Sequence, residues 1–460
     1  MSTILFFDDW NLESYQNVRR VMGKPKWVEE ATFSDAGFER SCFYPSVFWD
    51  AEAGLWRAFY IVWPKELENA SALATAESSD GIHWREADVN AIVPDARSLR
   101  KNEVFPDGRG TESGTVYLDA NESDPKRRYK LLYLPGTYRE YVEKRGVHRL
   151  AVSADGYRWQ PVEGVQWGDW LSDCPNCTYY NMHRGSYVTV CRPIWGDRRV
   201  ALIETRDWKT WTEPEVVLHP EPADEPLLQY YGMPVFPYEG MYIGLLWLLH
   251  CDGQDIQCDK GRGPIDCQLA YSYNGWHYNR AFREAFVPLN DSGQSGSGCI
   301  YPGSIAVDSE NRIRIYSNGT KTEHHKYRDY RNKTELLLHT LRLDGFMCME
   351  TTSGEGNIMT RCLVFRQPEL KLNIEVPSGD ARVQISDHSG KPIEGMSFGD
   401  CVAFTGDDLF WEPKWNSGKT LADALNRPVR VEVRMYRGKV YAIRGAFERT
   451  ELMKMMRGEY

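Results

Sequence analysis

The chain lacks an apolar run long enough to cross a membrane. Its longest, Met241 to Leu249, falls well short of the roughly 20 residues a spanning helix needs and reads as a buried strand. The start, Met1 to Asp9, has no basic stretch followed by a long apolar core, so no export signal is expected. Basic residues are outnumbered, 55 Lys and Arg against 65 Asp and Glu, and the net charge of −10 argues against nucleic acid as the main partner. Metal-ligand spacing is also missing. Cys174 and Cys177 form a C-x-x-C pair, but no second C-x-x-C or suitably spaced His pair accompanies it, and the strand-to-helix setting of a redox pair is absent. No metal and no cofactor are therefore expected. The 11 cysteines read as reduced thiols of a cytoplasmic protein. Helical periodicity is scarce as well, with no useful stretch outside Thr450 to Met456.

What the chain does have is aromatic residues and a repeated box. Aromatics make up 13%, with 16 Trp and 26 Tyr, a composition that suits both packing between sheets and stacking on sugar rings. The box reads Ser78-Ser79-Asp80-Gly81-Ile82-His83-Trp84. It returns as Ser153-Ala154-Asp155-Gly156-Tyr157-Arg158-Trp159, loosely as Thr205-Arg206-Asp207-Trp208-Lys209-Thr210-Trp211, and as Ser272-Tyr273-Asn274-Gly275-Trp276-His277-Tyr278. Asp-Gly or Asn-Gly supplies the positive φ of a tight hairpin, and four such copies mark a repeating β-unit. A fifth turn is expected at Leu343-Asp344-Gly345-Phe346.

Between boxes the order is constant: an extended segment, a turn, an aromatic strand and a small-residue strand. This predicts four-stranded antiparallel blades. Five of them, over residues 1–345, form an all-β, five-bladed propeller, with residues 1 to about 30 as a lead-in. From 346 to 460 the strands alternate differently, as in Leu370 to Val376 and Val429 to Val433, and predict a small β-sandwich.

Five blades followed by a sandwich resemble the five-bladed propeller glycoside hydrolases of families 32, 43, 68, 117 and 130, and most of all a family 32-like bacterial group. The resemblance rests on Gly114-Thr115-Val116 with Arg128-Tyr129-Lys130, on Ser172-Asp173 through Arg192, on Val235 to Tyr242, and on Pro428 to Val431 with Val440 to Ala442. It implies a glycosidase that acts on small carbohydrates. The Asn-Asp-Pro-Asn-Gly, Arg-Asp-Pro and Glu-Cys motifs of family 32 are absent. Tyr44 stands where family 43 places an Asp before Pro-Ser, so the usual catalytic trio has no direct counterpart.

Sites in such propellers lie where the innermost strands begin. Cleaving a glycosidic bond usually needs two carboxyl groups flanking it. Glu112, Asp173 and Glu39 are the catalytic candidates, weighed against a solvated loop carboxylate, an Asx turn and a surface ion pair, respectively. Glu112 is expected to be the acid and Asp173 its partner. Arg192, His250, Asp291, His324 and His325 are candidate substrate contacts, with Trp49, Tyr179 and Tyr231 as stacking walls; core packing is the alternative for each aromatic. Two other functions stay open: a carbohydrate-binding propeller without catalysis, and a phosphate-dependent glycoside phosphorylase using Arg192, His324 and His325. No membrane partner is expected, and a homo-oligomer is left open.

Overall fold

Each box folds into the same hydrogen-bonded turn. Asp80 Oδ1 accepts from the backbone N–H of Ile82 and of His83, both at 2.8 Å, while Ser78 Oγ accepts from Gly81 N at 2.9 Å. Asp155, Asp207 and Asn274 repeat the arrangement at 2.8 to 3.0 Å. Gly81, Gly156 and Gly275 sit at φ of 72°, 74° and 67°. In the loose copy Trp208 takes that place at φ 59°. A left-handed non-glycine residue costs about 1–2 kcal/mol, and Trp208 offsets this by burying its ring against Tyr187 at 4.6 Å.

The computed structural model describes residues 1–460 apart from 39, 65–70, 93–99, 105–110, 136–147, 169, 171, 174, 252–260, 325–333, 452–453, 456 and 460. Of Arg40, Ala91 and Glu112 it describes the backbone alone. The chain divides into two units: residues 25–309 with 314–340, and residues 1–24 with 310–313 and 341–460.

The first unit holds five blades, each antiparallel; among the described residues the fourth and fifth are joined into one sheet by the parallel bridge Ile265↔Cys299. The innermost strands of the blades are Arg40–Asp50, Glu112–Leu118, Thr178–Asn181, Gln229–Gly232 continued by Val235–Tyr238, and Cys299–Val307. Neighbouring blades are joined in a closed circle. Val116 N donates to Ser46 Oγ at 3.1 Å, and Thr115 Oγ1 donates to the Asn176 carbonyl at 2.7 Å. Trp247 Nε1 donates to the Pro302 carbonyl at 2.9 Å, and Val47 N to Ser304 Oγ at 2.8 Å. Between the third and fourth blades Arg192 Nη1 donates to the Tyr231 carbonyl at 2.6 Å. This is the five-bladed propeller that the box spacing predicts.

The fifth blade departs from expectation. Its outermost strand is Lys26–Trp27, paired as His339↔Trp27 and Thr340↔Lys26. The segment at Leu343–Phe346 is not a blade turn. It leads into Met347–Thr351, which pairs with Val18–Met22 and Lys439–Arg449 in the second unit. Asp344, rather than the glycine, carries the positive φ there, at 58°, and its buried carboxylate is ion-paired with Arg444. That buried pair ties the segment to the second unit.

The second unit is a β-sandwich built on one long strand, Leu363–Asp387. Its first part pairs with Lys439–Arg449 and its last part with Pro428–Tyr436. Gly379 marks the switch, where a Cβ would stand 1.6 Å from the Tyr436 carbonyl oxygen. The first 24 residues also belong here and not to the propeller. Ser2–Leu5 pairs with Lys439–Arg449, Leu12–Gln16 with Glu355–Thr360, and Val18–Met22 with Met347–Thr351. The domain boundaries of 1–345 and 346–460 are corrected accordingly. Short strands with no turn signal between them read in sequence as a lead-in, because their partners lie more than 300 residues away.

Glycines test the box turns. At Gly156 an added Cβ would meet Phe59 Cζ at 2.8 Å and Tyr129 at 3.2 Å, whereas at Gly164, with a similar φ of 73°, nothing lies within 4 Å. Gly164→Ala is expected to cost about 1 kcal/mol from backbone strain alone. Gly156→Val is expected to cost roughly 3 kcal/mol or more, because the clash adds to the strain. Urea unfolding followed by tryptophan fluorescence measures the difference, and equal losses would contradict the role given to the turn.

Candidate active site

Strand register separates the two ends of each blade. In the first blade Asp50 pairs with Leu55 beside the hairpin, and Arg40 with Trp63 at the opposite end. In the third, Asn181 pairs with Ser186 at the hairpin, so Thr178 and Arg192 lie at the other end. Glu112↔Leu134, His250 after Leu249, and His324 after Thr320 all share that second end, here called the mouth.

Asp173 and Arg192 meet at the mouth. Arg192 Nη2 donates to Asp173 Oδ2 at 2.7 Å, with the guanidinium side chain 5% exposed and the carboxylate 34% exposed. A buried guanidinium costs several kcal/mol unless its donors are satisfied. Here it also bonds the Tyr231 carbonyl and lies 4.4 Å from the Tyr231 ring centroid, a favourable cation–π contact. The Tyr231 hydroxyl reaches His324 Nε2 at 3.2 Å, and His324 Nδ1 reaches the Gly261 carbonyl at 2.9 Å. A carbonyl only accepts, so Nδ1 carries the proton. In the neutral ring Nε2 then accepts from the Tyr231 hydroxyl. Three blades thus contribute to one hydrogen-bonded line: Asp173, Arg192, Tyr231 and His324.

Behind Asp173 the backbone is pinned from the second blade. Ser172 Oγ accepts from Arg192 N at 3.0 Å and donates to Asn176 Oδ1 at 2.8 Å. Asn176 Nδ2 donates to His148 Nε2 at 2.8 Å. His148 is fully buried and stacked on Trp167 at 4.3 Å. Burial pushes its pKa down to about 3, so the ring is neutral and accepts that bond. These residues position Asp173 through its neighbours. Sequence reasoning noted Asn176 beside Asp173 but passed over His148, because only the fold brings residues from adjacent blades together.

His250 forms a second charged group at the mouth. Its Nδ1 is ion-paired with Glu225, and its Nε2 lies 3.1 Å from Asp266 Oδ1. Burial alone would lower its pKa, but Asp266 and then Glu225 outweigh that and move it up to about 8. The imidazolium is therefore the main form at neutral pH.

The other candidates fall elsewhere. Tyr179 is not a stacking wall: it is buried in the blade core, its hydroxyl bonds the Gly275 carbonyl at 2.6 Å, and Tyr278 donates to it. Trp49 is exposed but stands beside the hairpin. Nine residues separate it from Arg40 along the strand, roughly 25–30 Å at about 3.3 Å per residue, so it too is not a wall of the mouth. Asp291 lies on an exposed turn closed by Gln294. Glu39 and His325 lie outside the described residues. Glu112 begins the second inner strand, next to a bulge with Ser113 at φ 54°. Its side chain lies outside the described ones, and so does its separation from Asp173. Among the described residues no three His, Cys, Asp or Glu side chains are set to hold a metal ion. No described helix is long and apolar enough to cross a membrane.

No protein-family model matches the sequence, and no curated protein matches it. Solved structures similar to the chain include three that span nearly their whole length. A fructofuranosidase from Schwanniomyces occidentalis is 11% identical at a TM-score of 0.44, covering 92% of this chain and 97% of its own. The Bombyx mori family 32 β-fructofuranosidase is 13% identical at 0.45, covering 91% and 94%. An N-acetylgalactosamine deacetylase from F. plautii is 15% identical at 0.46, covering 72% and 97%. The activity named for each belongs to that protein.

The raised pKa of His250 has a measurable consequence. A group whose folded pKa lies above its unfolded value stabilises the fold below the unfolded value, near 6.5, and loses this as pH rises through the folded one. The stability gap between the native chain and His250→Gln is expected to be full at pH 6 and to shrink as pH passes about 8. Unfolding free energies measured from pH 6 to 9 report it; a gap that widens with pH would contradict the assignment.

Proposed function

We propose that the chain is a glycoside hydrolase acting inside the cell on short oligosaccharides of the fructoside, arabinoside or galactoside kind. The observation that carries this reading is Asp173. It is a partly exposed carboxylate at the mouth of a five-bladed propeller, aligned by a buried guanidinium that is itself anchored on the next blade. A glycosidic bond is hydrolysed between two carboxyl groups, one giving a proton to the leaving oxygen and the other attacking the anomeric carbon or activating water. In the proposed arrangement Asp173 is the second of these. Its ion pair with Arg192 resists the reorientation that would spoil attack. Glu112, at the start of the adjacent inner strand, is proposed as the acid. Thr115, three residues further on, bonds the Asn176 carbonyl and brings this strand beside the Asp173 segment. Tyr231 and His324 are buried at the same end and are proposed to hold Arg192, and through it Asp173, in place behind the sugar.

The test is hydrolysis of a panel of fructo-, arabino- and galacto-oligosaccharides. Asp173→Asn and Glu112→Gln are each expected to lower kcat/KM by about 100-fold or more on whichever substrate the native chain cleaves. No turnover by the native chain on any of them would remove the proposal. Turnover undiminished in both variants would remove the site.

A further inference from the structure

The loop from Arg192 to Arg199 carries two exposed apolar side chains beside the charged site. Ile194 is 46% exposed and Trp195 49%. A neighbouring segment, hydrogen-bonded to this loop through Tyr230 N to the Arg198 carbonyl and Arg198 N to Gln229 Oε1, carries Leu227 at 60% exposure. Leu227 is also held in the left-handed region, at φ 66°. These three side chains thus sit on two joined segments at the rim of the mouth. Among the described residues of the propeller, the other exposed large aromatic is Trp49, which stands beside a hairpin at the opposite end.

On the strength of the proposed hydrolase reading, we infer that Trp195 is a stacking platform for the sugar unit beyond the bond that is cleaved, and sets a preference for chain length. Two residues lie between it and Arg192, whose guanidinium holds Asp173, so the loop that carries Trp195 begins at the charged site. A saccharide fits such a surface. One face of the ring is a sheet of C–H groups that stacks on an indole, and its edge of hydroxyls faces polar groups. Gly196 follows at φ 104°, with nothing within 4 Å of a Cβ there, so the turn after the indole is open at that residue. Leu227 and Ile194 extend the apolar surface.

Titration calorimetry with fructo-, arabino- and galacto-oligosaccharides of two to five units tests this without relying on turnover. The native chain is expected to bind longer chains more tightly. In Trp195→Ala that gain is expected to fall about tenfold, while Trp195→Phe retains most of it. Thermal melting checks that both variants fold. A gain with length that is unchanged in Trp195→Ala overturns the inference. So does the absence of binding to any member of the panel. Self-association on sedimentation that Trp195→Ala abolishes, with sugar affinity unaltered, overturns it in favour of a contact between copies. Binding without hydrolysis, with the length effect lost in Trp195→Ala, supports the platform while counting against the hydrolase.

Discussion

The propeller depends on closing its circle of inner strands. Each sheet is an incomplete object, with one edge and two faces that must be covered, and covering them all requires the fifth blade to meet the first. Two devices do this. Ser304 Oγ accepts from Val47 N and donates to the Pro45 carbonyl, and Asn318 Oδ1 accepts from Tyr44 N, tying the fifth blade to the first at the centre. At the periphery, Lys26–Trp27 from the start of the unit completes the last sheet. Because chain from both ends of the unit meets in one blade, the ring opens only if that pairing breaks. The mouth depends on the same closure, since Asp173, Tyr231 and His324 come from three blades.

The two ends of the blades carry different physics. At the hairpin end, a buried carboxylate is closed in by protein donors. Asp50 is fully buried, and Arg128 donates to its two oxygens at 3.0 and 2.8 Å. Burial alone would raise its pKa, but Arg128 and the Tyr129 hydroxyl hold it below the ordinary carboxylate range. The boxes join one blade to the next at this end: Arg314 bonds the Asp80 carbonyl, Arg57 the Asp155 carbonyl, and Asn181 the Asn274 carbonyl. At the mouth, by contrast, carboxylates such as Asp173, Glu225 and Asp266 keep part of their surface in water. The proposed hydrolase reading uses this division: one end secures the frame, and the other end holds charged groups in place without enclosing them.

Histidine shows how environment assigns the role of a residue type. His148 and His339 are both buried, and burial alone pushes them down to about 3 and about 4, so both are neutral packing groups. His250 is flanked by two carboxylates and is pushed the other way. Their sequence contexts differ little: each is a polar residue at or near a strand. Only the partners decide, and these come from other strands and loops.

The architecture was legible because it is written in local signals. Each box needs only its own Ser, Asp and Gly to make its turn, so copies at regular intervals announce blades before any blade has formed. The loose copy was also readable, although its left-handed residue is Trp208. Arg192 stood out for a local reason too, as a charged residue ending an apolar strand. What sequence could not assign was anything settled by distant partners. Tyr179 and Tyr231 look alike in sequence, each beside a second tyrosine, yet one hydroxyl is spent on a box carbonyl and the other faces His324. Residues 1–24 gave no sign of joining strands beyond 340, and Asp344-Gly345 looked like one more blade turn until Arg444 claimed its carboxylate. Turn formation is a contest among neighbours along the chain, so sequence alone decides it. Strand partnership and the pairing of buried charge are contests across the whole molecule, and only the tertiary structure decides those.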